Sequence, residues 1–266
     1  TYFVQLEQDV GMCDVTKMAQ STGVQLSSDK DIVKTFQNVP SFTLGTAYVS
    51  PMSMASAYAT FASRGIQCDP IILKSVKNRN GSPIKVPTGN CKRVMPQKVA
   101  DGVNSVLSGV MDATGKPARI PGGYPQAGKT GTTNDSTETW FVGYTPKQSA
   151  TAVWVGTPDR RPRSVNYQRI GGRRYGRVYG ATVAGATWKL YIQKALQGMP
   201  ETKFSKSTQN WDLVERVDVP RTYGMRVDQA INALSEAGFN PYVSGNIFSD
   251  APKGTVAGSY PRGGRR

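Results

Sequence analysis

The sequence predicts an α+β fold in which an antiparallel sheet is flanked by helices. The first observation is a set of three strand-like runs at 127–133, 140–144 and 150–155, which follow one another with short turns between them. The second is that amphipathic segments with helical spacing precede and follow these runs. The third is a content of 38% hydrophobic residues in a chain of 266, which suffices for one medium core and one small core.

The chain is expected to contain two domains. A polar stretch rich in Ser, Thr and Lys begins near residue 200, and this composition is typical of a linker. We therefore predict a larger domain at 1–198, a linker at 199–211 and a small domain at 212–266. The chain has no apolar run of the roughly 18 residues that a membrane helix needs. It opens without Met or a signal pattern, so we expect it to be a piece of a longer protein.

Helices are predicted before the strands. Residues 1–23 carry spaced apolar residues on both sides of Gly11, which predicts two helices with a break between them. We expect their apolar side chains to lie in the core, with Cys13 as a buried free thiol. A further helix is predicted at 51–64, where Gly65 is its stop signal. Its buried face is expected to consist of Met52, Ala55, Tyr58, Ala59 and Ala62.

Two more helices, at 96–111 and 181–196, have apolar faces suited to covering the sheet. Between the predicted helices at 51–64 and 96–111, Asn80-Gly81 predicts a β-hairpin with a type I′ turn. Cys68 and Cys91 bracket this hairpin, so we expect a disulfide between them in an oxidising compartment.

Composition excludes several kinds of site. The chain has no histidine, and its three cysteines are too far apart for the usual zinc spacing. A His-based triad and a Cys/His metal site are therefore excluded, and we expect neither a metal nor a cofactor. A serine chemistry assisted by lysine fits this composition.

The charge is strongly positive, with 33 Lys and Arg against 18 Asp and Glu and a net charge of +15. This balance favours polyanionic surroundings such as nucleic acid, acidic lipid or an anionic wall polymer. Residues 158–177 contain seven arginines and two interleaved tyrosines, a composition that can bind phosphates and stack on bases. Because the segment lies between a strand and a helix, we favour a solvated basic loop. No nucleic-acid fold signature is present, and we expect no nucleic-acid partner.

The stretch Gly128-Lys129-Thr130-Gly131-Thr132-Thr133 has the residues of a substrate-binding strand. Gly131 lacks a Cβ and lets another backbone approach, while Thr130 and Thr132 offer hydroxyl donors to a carboxylate. Lys129 adds a positive charge. An edge strand can bind an extended peptide by strand addition, and one of its N–H groups can stabilise an oxyanion. The alternative is an ordinary Gly- and Thr-rich strand of a meander.

The longer context carries a resemblance. Lys-Thr-Gly is one of the motifs of serine β-lactamases and penicillin-binding proteins. Together with the downstream strands Trp140-Phe141-Val142-Gly143-Tyr144 and Ala152-Val153-Trp154-Val155-Gly156, it resembles the transpeptidase domain of class A penicillin-binding proteins. The resemblance implies a serine β-lactamase-like antiparallel sheet of five strands, two of them from sequence before Thr1.

The small domain resembles a PASTA module, a βαββ unit appended to wall-synthesis enzymes. The matching features are Val219-Pro220, Ala237-Gly238-Phe239 at the end of a helix, and Pro252-Lys253-Gly254-Thr255-Val256. The predicted module covers 212–266.

The resemblance implies an enzyme that cross-links peptidoglycan. Such an enzyme acylates a serine with a stem peptide ending in D-Ala-D-Ala, passes the acyl group to an amine of a neighbouring stem, and is inhibited by β-lactams. It implies a location at the extracytoplasmic face of the bacterial membrane, with an anchor in a segment absent from this chain. The alternative is a non-catalytic fragment that binds peptidoglycan or an anionic wall polymer.

The resemblance also implies roles for individual residues. Lys129 and Thr132 are catalytic, with the Thr132 N–H in the oxyanion hole. Substrate binding falls to Thr130, Gly131, Thr132 and Thr133.

The nucleophile is not expected in this chain. Ser27 and Ser82 begin stretches that match Ser-x-x-Lys by letter, but neither is predicted at the start of a buried helix. Ser164 and Ser244 begin Ser-x-Asn stretches that come after Lys129, in the wrong order for the family. We therefore expect the isolated chain to be inactive and to need the upstream part of the same transpeptidase, which a separate chain can supply.

Overall fold

The computed structural model describes residues 2–157, 163–207 and 218–260. Contacts between Cα atoms divide the chain into two compact units, Thr1–Gln209 and Asn210–Arg266. In the first unit the helices are α1 Tyr2–Val10, α2 Met12–Ser21, α3 Ile32–Phe36, α4 Pro51–Ala62, α5 Gln97–Val110 and α6 Ala184–Ala195. Its strands are β1 Ile66–Gln67, β2 Val76–Lys77, β3 Pro83–Ile84, β4 Lys92–Arg93, β5 Ala127–Thr132, β6 Glu138–Thr145, β7 Ser149–Gly156, β8 Arg169–Ile170 and β9 Arg173–Arg174.

The main sheet is an antiparallel meander in the order β5-β6-β7. Lys129 lies opposite Val142, Thr132 lies opposite Thr139, and Trp140 lies opposite Trp154. The expectation of three successive antiparallel strands is confirmed. Two-stranded pairs β1-β4, β2-β3 and β8-β9 lie outside this sheet.

Helices cover both faces of the sheet. On one face, Trp188 and Ile192 of α6 pack with Phe141 in a fully buried cluster. A Cβ on Gly143 would lie 2.4 Å from the Trp188 ring, so this glycine makes room for the indole. On the other face, α4 and α5 pack on the sheet around Tyr144.

Polar contacts fix α4 and α5 to that face. The Tyr144 hydroxyl donates to Asn104 Oδ1 at 2.7 Å, and Asn104 Nδ2 donates to the Phe61 carbonyl at 3.1 Å. Burial raises the pKa of Tyr144 and raises that of Tyr58 to about 12, so both phenols stay protonated at neutral pH.

The buried face of α4 agrees with the expectation at Tyr58 and Ala62, which pack around Tyr144, and differs from it at Met52 and Ala59, which are exposed. Ser53, Ala57 and Thr60 are buried together with Ala62. The Thr60 hydroxyl donates to the Thr22 carbonyl at 3.0 Å. Small side chains that satisfy buried backbone groups therefore face the neighbouring segment, a preference that apolar spacing alone does not predict.

The first two helices form as expected around Gly11, which has φ 85°. The expectation that their apolar residues lie in the core is wrong within the described residues. Tyr2, Phe3 and Val10 are at least half exposed, and Cys13 is an exposed free thiol. The buried residues of α1 and α2 are Glu7 and Thr16.

The start of the predicted linker contacts the sheet. Gln148 Nε2 donates to the Pro200 carbonyl at 2.6 Å, and the Thr202 hydroxyl donates to the Pro146 carbonyl. The Phe204 ring lies edge-on to Tyr144 with centroids 5.8 Å apart. These residues belong to the first unit, and the predicted linker residues 208–211 lie outside the described part.

The hairpin between the two cysteines forms from β2 and β3. The prediction of a type I′ turn is wrong. Such a turn needs a positive φ at both central residues, whereas Gly81 has φ 82° and Asn80 does not have a positive φ. The Asn78 side chain accepts from the N–H groups of Asn80 and Ser82, which favours a three-residue loop ending in glycine. Cys68 and Cys91 are joined by a disulfide.

Loss of this disulfide is expected to destabilise the first unit. Replacing Cys68 with serine should lower the free energy of unfolding by roughly 3 kcal/mol, because the cross-link restricts the unfolded chain. Urea unfolding with and without a reductant measures the effect. Cys13→Ser is the control and should match the wild type, since this thiol is exposed and free. If the urea midpoint of the wild type is the same with and without the reductant, the prediction is contradicted.

The second unit is described from residue 218 to residue 260 and contains one helix, α7 Val227–Glu236. Ala230 of this helix is buried, as are Val219 and Thr222 before it. A single antiparallel bridge joins Arg226 to Thr255. Within the described residues the predicted βαββ unit is therefore represented by its helix and this bridge.

In the ranges 2–157, 163–207 and 218–260, no helix combines the length and the apolar character needed to cross a membrane.

Candidate active site

Strand β5 has an open edge. It pairs with β6 on one side and with no other strand of the described residues on the other. The Thr133 N–H donates to the Glu138 carbonyl at 3.0 Å, so the backbone of Thr133 faces β6. Because backbone direction alternates along an antiparallel pair, Thr130 and Thr132 direct their N–H groups to the open edge.

The ammonium group of Lys129 lies at the same edge. Lys129 is exposed, and its Nζ donates to the Thr130 carbonyl at 2.9 Å. Successive side chains leave a strand on opposite faces, so the Thr130 and Thr132 side chains leave β5 on the opposite face from that of Lys129. The ammonium therefore contacts the outward carbonyl of Thr130, on the same edge to which the Thr132 N–H points.

Thr132 is held by a residue that sequence reasoning missed. The Gly180 N–H donates to Thr132 Oγ1 at 3.0 Å, which leaves the threonine O–H free to donate to another group. A Cβ on Gly180 would lie 2.3 Å from the Trp140 carbonyl oxygen and 2.9 Å from the Gly131 nitrogen. The backbone of Gly180 is thus stacked on the strand pair at Gly131. The sequence offers no signal for this contact beyond a glycine 48 residues away from Thr132.

Thr133, predicted to bind substrate, is engaged in the turn after β5. Its hydroxyl oxygen accepts from the Glu138 N–H at 2.8 Å and lies 2.8 Å from the Thr137 hydroxyl. These contacts close the turn that carries Asp135 and Ser136, both with positive φ. The chain direction after the edge is therefore fixed by side-chain hydrogen bonds.

The serines that match family motifs by letter are exposed or donate to backbone carbonyls. Ser27 is exposed and its hydroxyl donates to the Tyr48 carbonyl, while Ser82 is exposed in the loop before β3. The Ser164 hydroxyl donates to the Asp135 carbonyl. Ser244 is exposed in the second unit, and neither Ser27 nor Ser82 begins a helix.

In the part of the chain that is described, no group of three His, Cys, Asp or Glu side chains is placed to hold a metal ion.

The fold and the edge strand define a class of protein: α+β domains with a Lys-Thr-Gly strand at the edge of an antiparallel sheet. The sequence pattern of the penicillin binding protein transpeptidase domain matches residues 1–172, and that of the PASTA domain matches residues 217–266. The chain therefore belongs to the penicillin-binding protein transpeptidase family and carries a PASTA domain.

Individual relatives agree with this assignment. Penicillin-binding protein 1A of Mycolicibacterium smegmatis is 31% identical over 222 residues, which are 78% of this chain and 27% of that protein. The structure of the PonA1 protein from Mycobacterium tuberculosis in complex with penicillin V has a TM-score of 0.57 and 27% identity, covering 72% of this chain and 51% of that one. Penicillin-binding protein 1A from Haemophilus influenzae shares the fold at a TM-score of 0.61 and 21% identity, over 78% of this chain and 34% of that one. The chain thus spans about a quarter of the M. smegmatis relative.

Proposed function

We propose that this chain supplies the substrate strand of a serine-type D-Ala-D-Ala transpeptidase that cross-links peptidoglycan. The observation that carries the proposal is the open edge of β5, where the Lys129 ammonium and the outward backbone groups of Thr130 and Thr132 lie together. An extended peptide pairs with such an edge through its own backbone. The PonA1 relative has a structure in complex with penicillin V, which supports β-lactams as ligands.

Each group of the edge has a task in acyl transfer. The Thr132 N–H donates to the oxyanion that develops at the scissile carbonyl. The Thr130 and Thr132 hydroxyls bind the terminal carboxylate from their face of the strand, and Gly131 keeps the strand free of a side chain where the peptide approaches. Lys129, from the edge, adds positive charge that attracts the carboxylate at longer range and helps proton transfer beside the nucleophile.

The reaction proceeds in two steps, acylation of the serine and transfer of the acyl group to an amine. A serine Oγ attacks the carbonyl of the penultimate D-Ala, the bond to the terminal D-Ala breaks, and the departing amine takes the proton that the serine loses. An amine of a second stem then attacks the ester, which returns the serine hydroxyl and forms the cross-link.

We infer that the nucleophile comes from outside the 266 residues. The serines of the two Ser-x-x-Lys matches, Ser27 and Ser82, are exposed, and neither begins a helix. A nucleophilic serine needs a helix start, because the lysine one turn later is then positioned to activate it. The proposed location is the extracytoplasmic face of the bacterial membrane, where the stem peptides are.

Labelling with a fluorescent penicillin tests the proposal. The full-length product of the gene should be acylated on a serine outside residues 1–266, identified by peptide mass spectrometry. The isolated chain should stay unlabelled, because it lacks the proposed nucleophile. The N–H of that residue, which completes the oxyanion hole, is then missing as well. A label on a serine of the isolated chain would contradict the assignment of the nucleophile. An unlabelled full-length protein that still sediments with purified wall would favour a wall-binding role instead.

A further inference from the structure

The arginine-rich segment forms a hairpin, which we call the arginine hairpin and define as residues 163–177. Its arms are paired by β8 and β9, and the pairing continues from Tyr167 N to the Gly176 carbonyl at 2.8 Å and from Tyr175 N to the Gln168 carbonyl at 3.0 Å. The two arginines at 160 and 161 lie outside the described residues. The sequence favours a solvated loop here, but the segment has a defined backbone.

The base of the arginine hairpin is attached to the chain just after β5. The Val165 N–H donates to the Ser136 carbonyl at 2.9 Å, and the Val178 N–H donates to Asn166 Oδ1 at 2.7 Å. Val165 and Val178 are buried together with Val183. Two residues after Val178, Gly180 bonds Thr132. The hairpin base therefore lies at the end of the sheet where β5 ends at Thr132, and its cluster also packs against Val155 of β7.

The hairpin carries a cluster of exposed positive charge. All five of its arginines are exposed: Arg163, Arg169, Arg173, Arg174 and Arg177. The sequence from 160 to 200 contains no Asp or Glu. In the described part of the chain, the ion pairs recorded join other residues, and none includes Arg169, Arg173, Arg174 or Arg177.

Aromatic side chains hold two of these arginines. The Arg173 guanidinium lies 5.3 Å from the centre of the Tyr175 ring, a cation–π distance. Hydrogen bonds with Tyr179 and Tyr167 raise the pKa of Arg177. Guanidinium groups held in this way lose less side-chain entropy when they bind a carboxylate in the two-pronged geometry that suits them.

We propose that the arginine hairpin is a binding subsite for carboxylates of an acidic peptide that lies along the β5 edge. This inference rests on the proposed function, because it takes the occupant of the edge to be a peptide. The base of the hairpin contacts the turn after β5 at Ser136, and the segment that follows it contacts Thr132 through Gly180, so a peptide that extends past Thr132 runs toward the hairpin base. A few exposed arginines on one short hairpin match a few carboxylates of one peptide better than the long charge array of a nucleic acid or a polyphosphate wall polymer.

Protection from penicillin labelling tests the subsite on the full-length gene product. Two peptides ending in D-Ala-D-Ala are compared, one with two side-chain carboxylates and one with both converted to amides. The acidic peptide should protect the wild type at about tenfold lower concentration, as several exposed ion pairs of modest strength together allow. This preference should shrink as salt rises, because salt screens exposed charges.

A triple variant with Arg169, Arg173 and Arg174 changed to Gln should lose the preference while its rate of penicillin labelling is retained. The matched control changes Lys74, Lys77 and Lys85 to Gln, which removes three exposed charges from the β2-β3 hairpin and should keep the preference. Thermal melting checks that both variants are folded.

The outcomes separate the two proposals. A wild type that is not labelled by penicillin overturns the proposed function. A labelled wild type that both peptides protect equally overturns the hairpin subsite alone. Equal loss of preference in the two triple variants also overturns it, because total charge then explains the effect. If an oligonucleotide displaces the acidic peptide while the amidated peptide does not, the hairpin is assigned to nucleic acid instead.

Discussion

Replacing Lys129 with alanine is expected to slow acylation of the full-length protein by penicillin about 100- to 1000-fold, the size of effect typical of removing one electrostatic group from an acyl-transfer site. The ammonium lies at the open edge of β5, where it bonds the Thr130 carbonyl at 2.9 Å. Its loss removes the positive charge that attracts the substrate carboxylate. The second-order rate constant of labelling with a fluorescent penicillin measures the effect.

Lys98→Ala is the control for Lys129. Lys98 is exposed on α5, a helix that contacts β5, so the variant loses the same charge at a position away from the edge. Its labelling rate should stay within about twofold of the wild type, as is usual for a surface substitution away from a site. A Lys129→Ala variant that is folded and labelled at the control rate would remove this lysine from the proposed mechanism.

The parts of the fold that sequence predicts are those that local patterns encode. The strands β5 to β7 follow from strand-like runs joined by short turns, and helix α4 ends at Ala62, shortly before Gly65, whose φ of 88° favours glycine. The Lys-Thr-Gly stretch identifies the edge strand because its residue types are unusual for a core strand.

The parts that sequence does not predict depend on distant partners. Apolar spacing places α1 in a core, yet burial requires a covering surface, and the described residues supply none for Tyr2 or Phe3. The hydrogen bond between Tyr144 and Asn104 links residues 40 apart, and polar residues carry no periodic signal for such a contact. The local contacts of side chains at the edge are similarly hidden, since the hydroxyl of Thr133, a residue predicted to bind substrate, accepts from the Glu138 N–H in the turn after β5.

Replacing Gly180 with alanine is expected to damage both stability and acylation. The added Cβ would lie 2.3 Å from the Trp140 carbonyl oxygen and 2.7 Å from that of Gly131, and backbone atoms cannot move aside as a flexible side chain would. Relief of the clash must shift the segment away from the strand and weaken its bond to Thr132 Oγ1. We expect a loss of about 2–3 kcal/mol in the free energy of unfolding, as for overpacking of a close contact. Acylation should fall at least about tenfold, because small displacements of catalytic groups are costly.

Gly176→Ala is the matched control for Gly180. A Cβ there meets open space, and neither glycine has a positive φ, so the two substitutions differ in packing and not in backbone conformation. The control should change the free energy of unfolding by less than about 0.5 kcal/mol. Urea unfolding and penicillin labelling of both variants separate the two roles of Gly180. If Gly180→Ala matches the control in stability, Gly180 does not stack on Gly131. If it is destabilised yet labelled at the wild-type rate, its contact supports the fold, and the position of Thr132 in catalysis must depend on β6 alone.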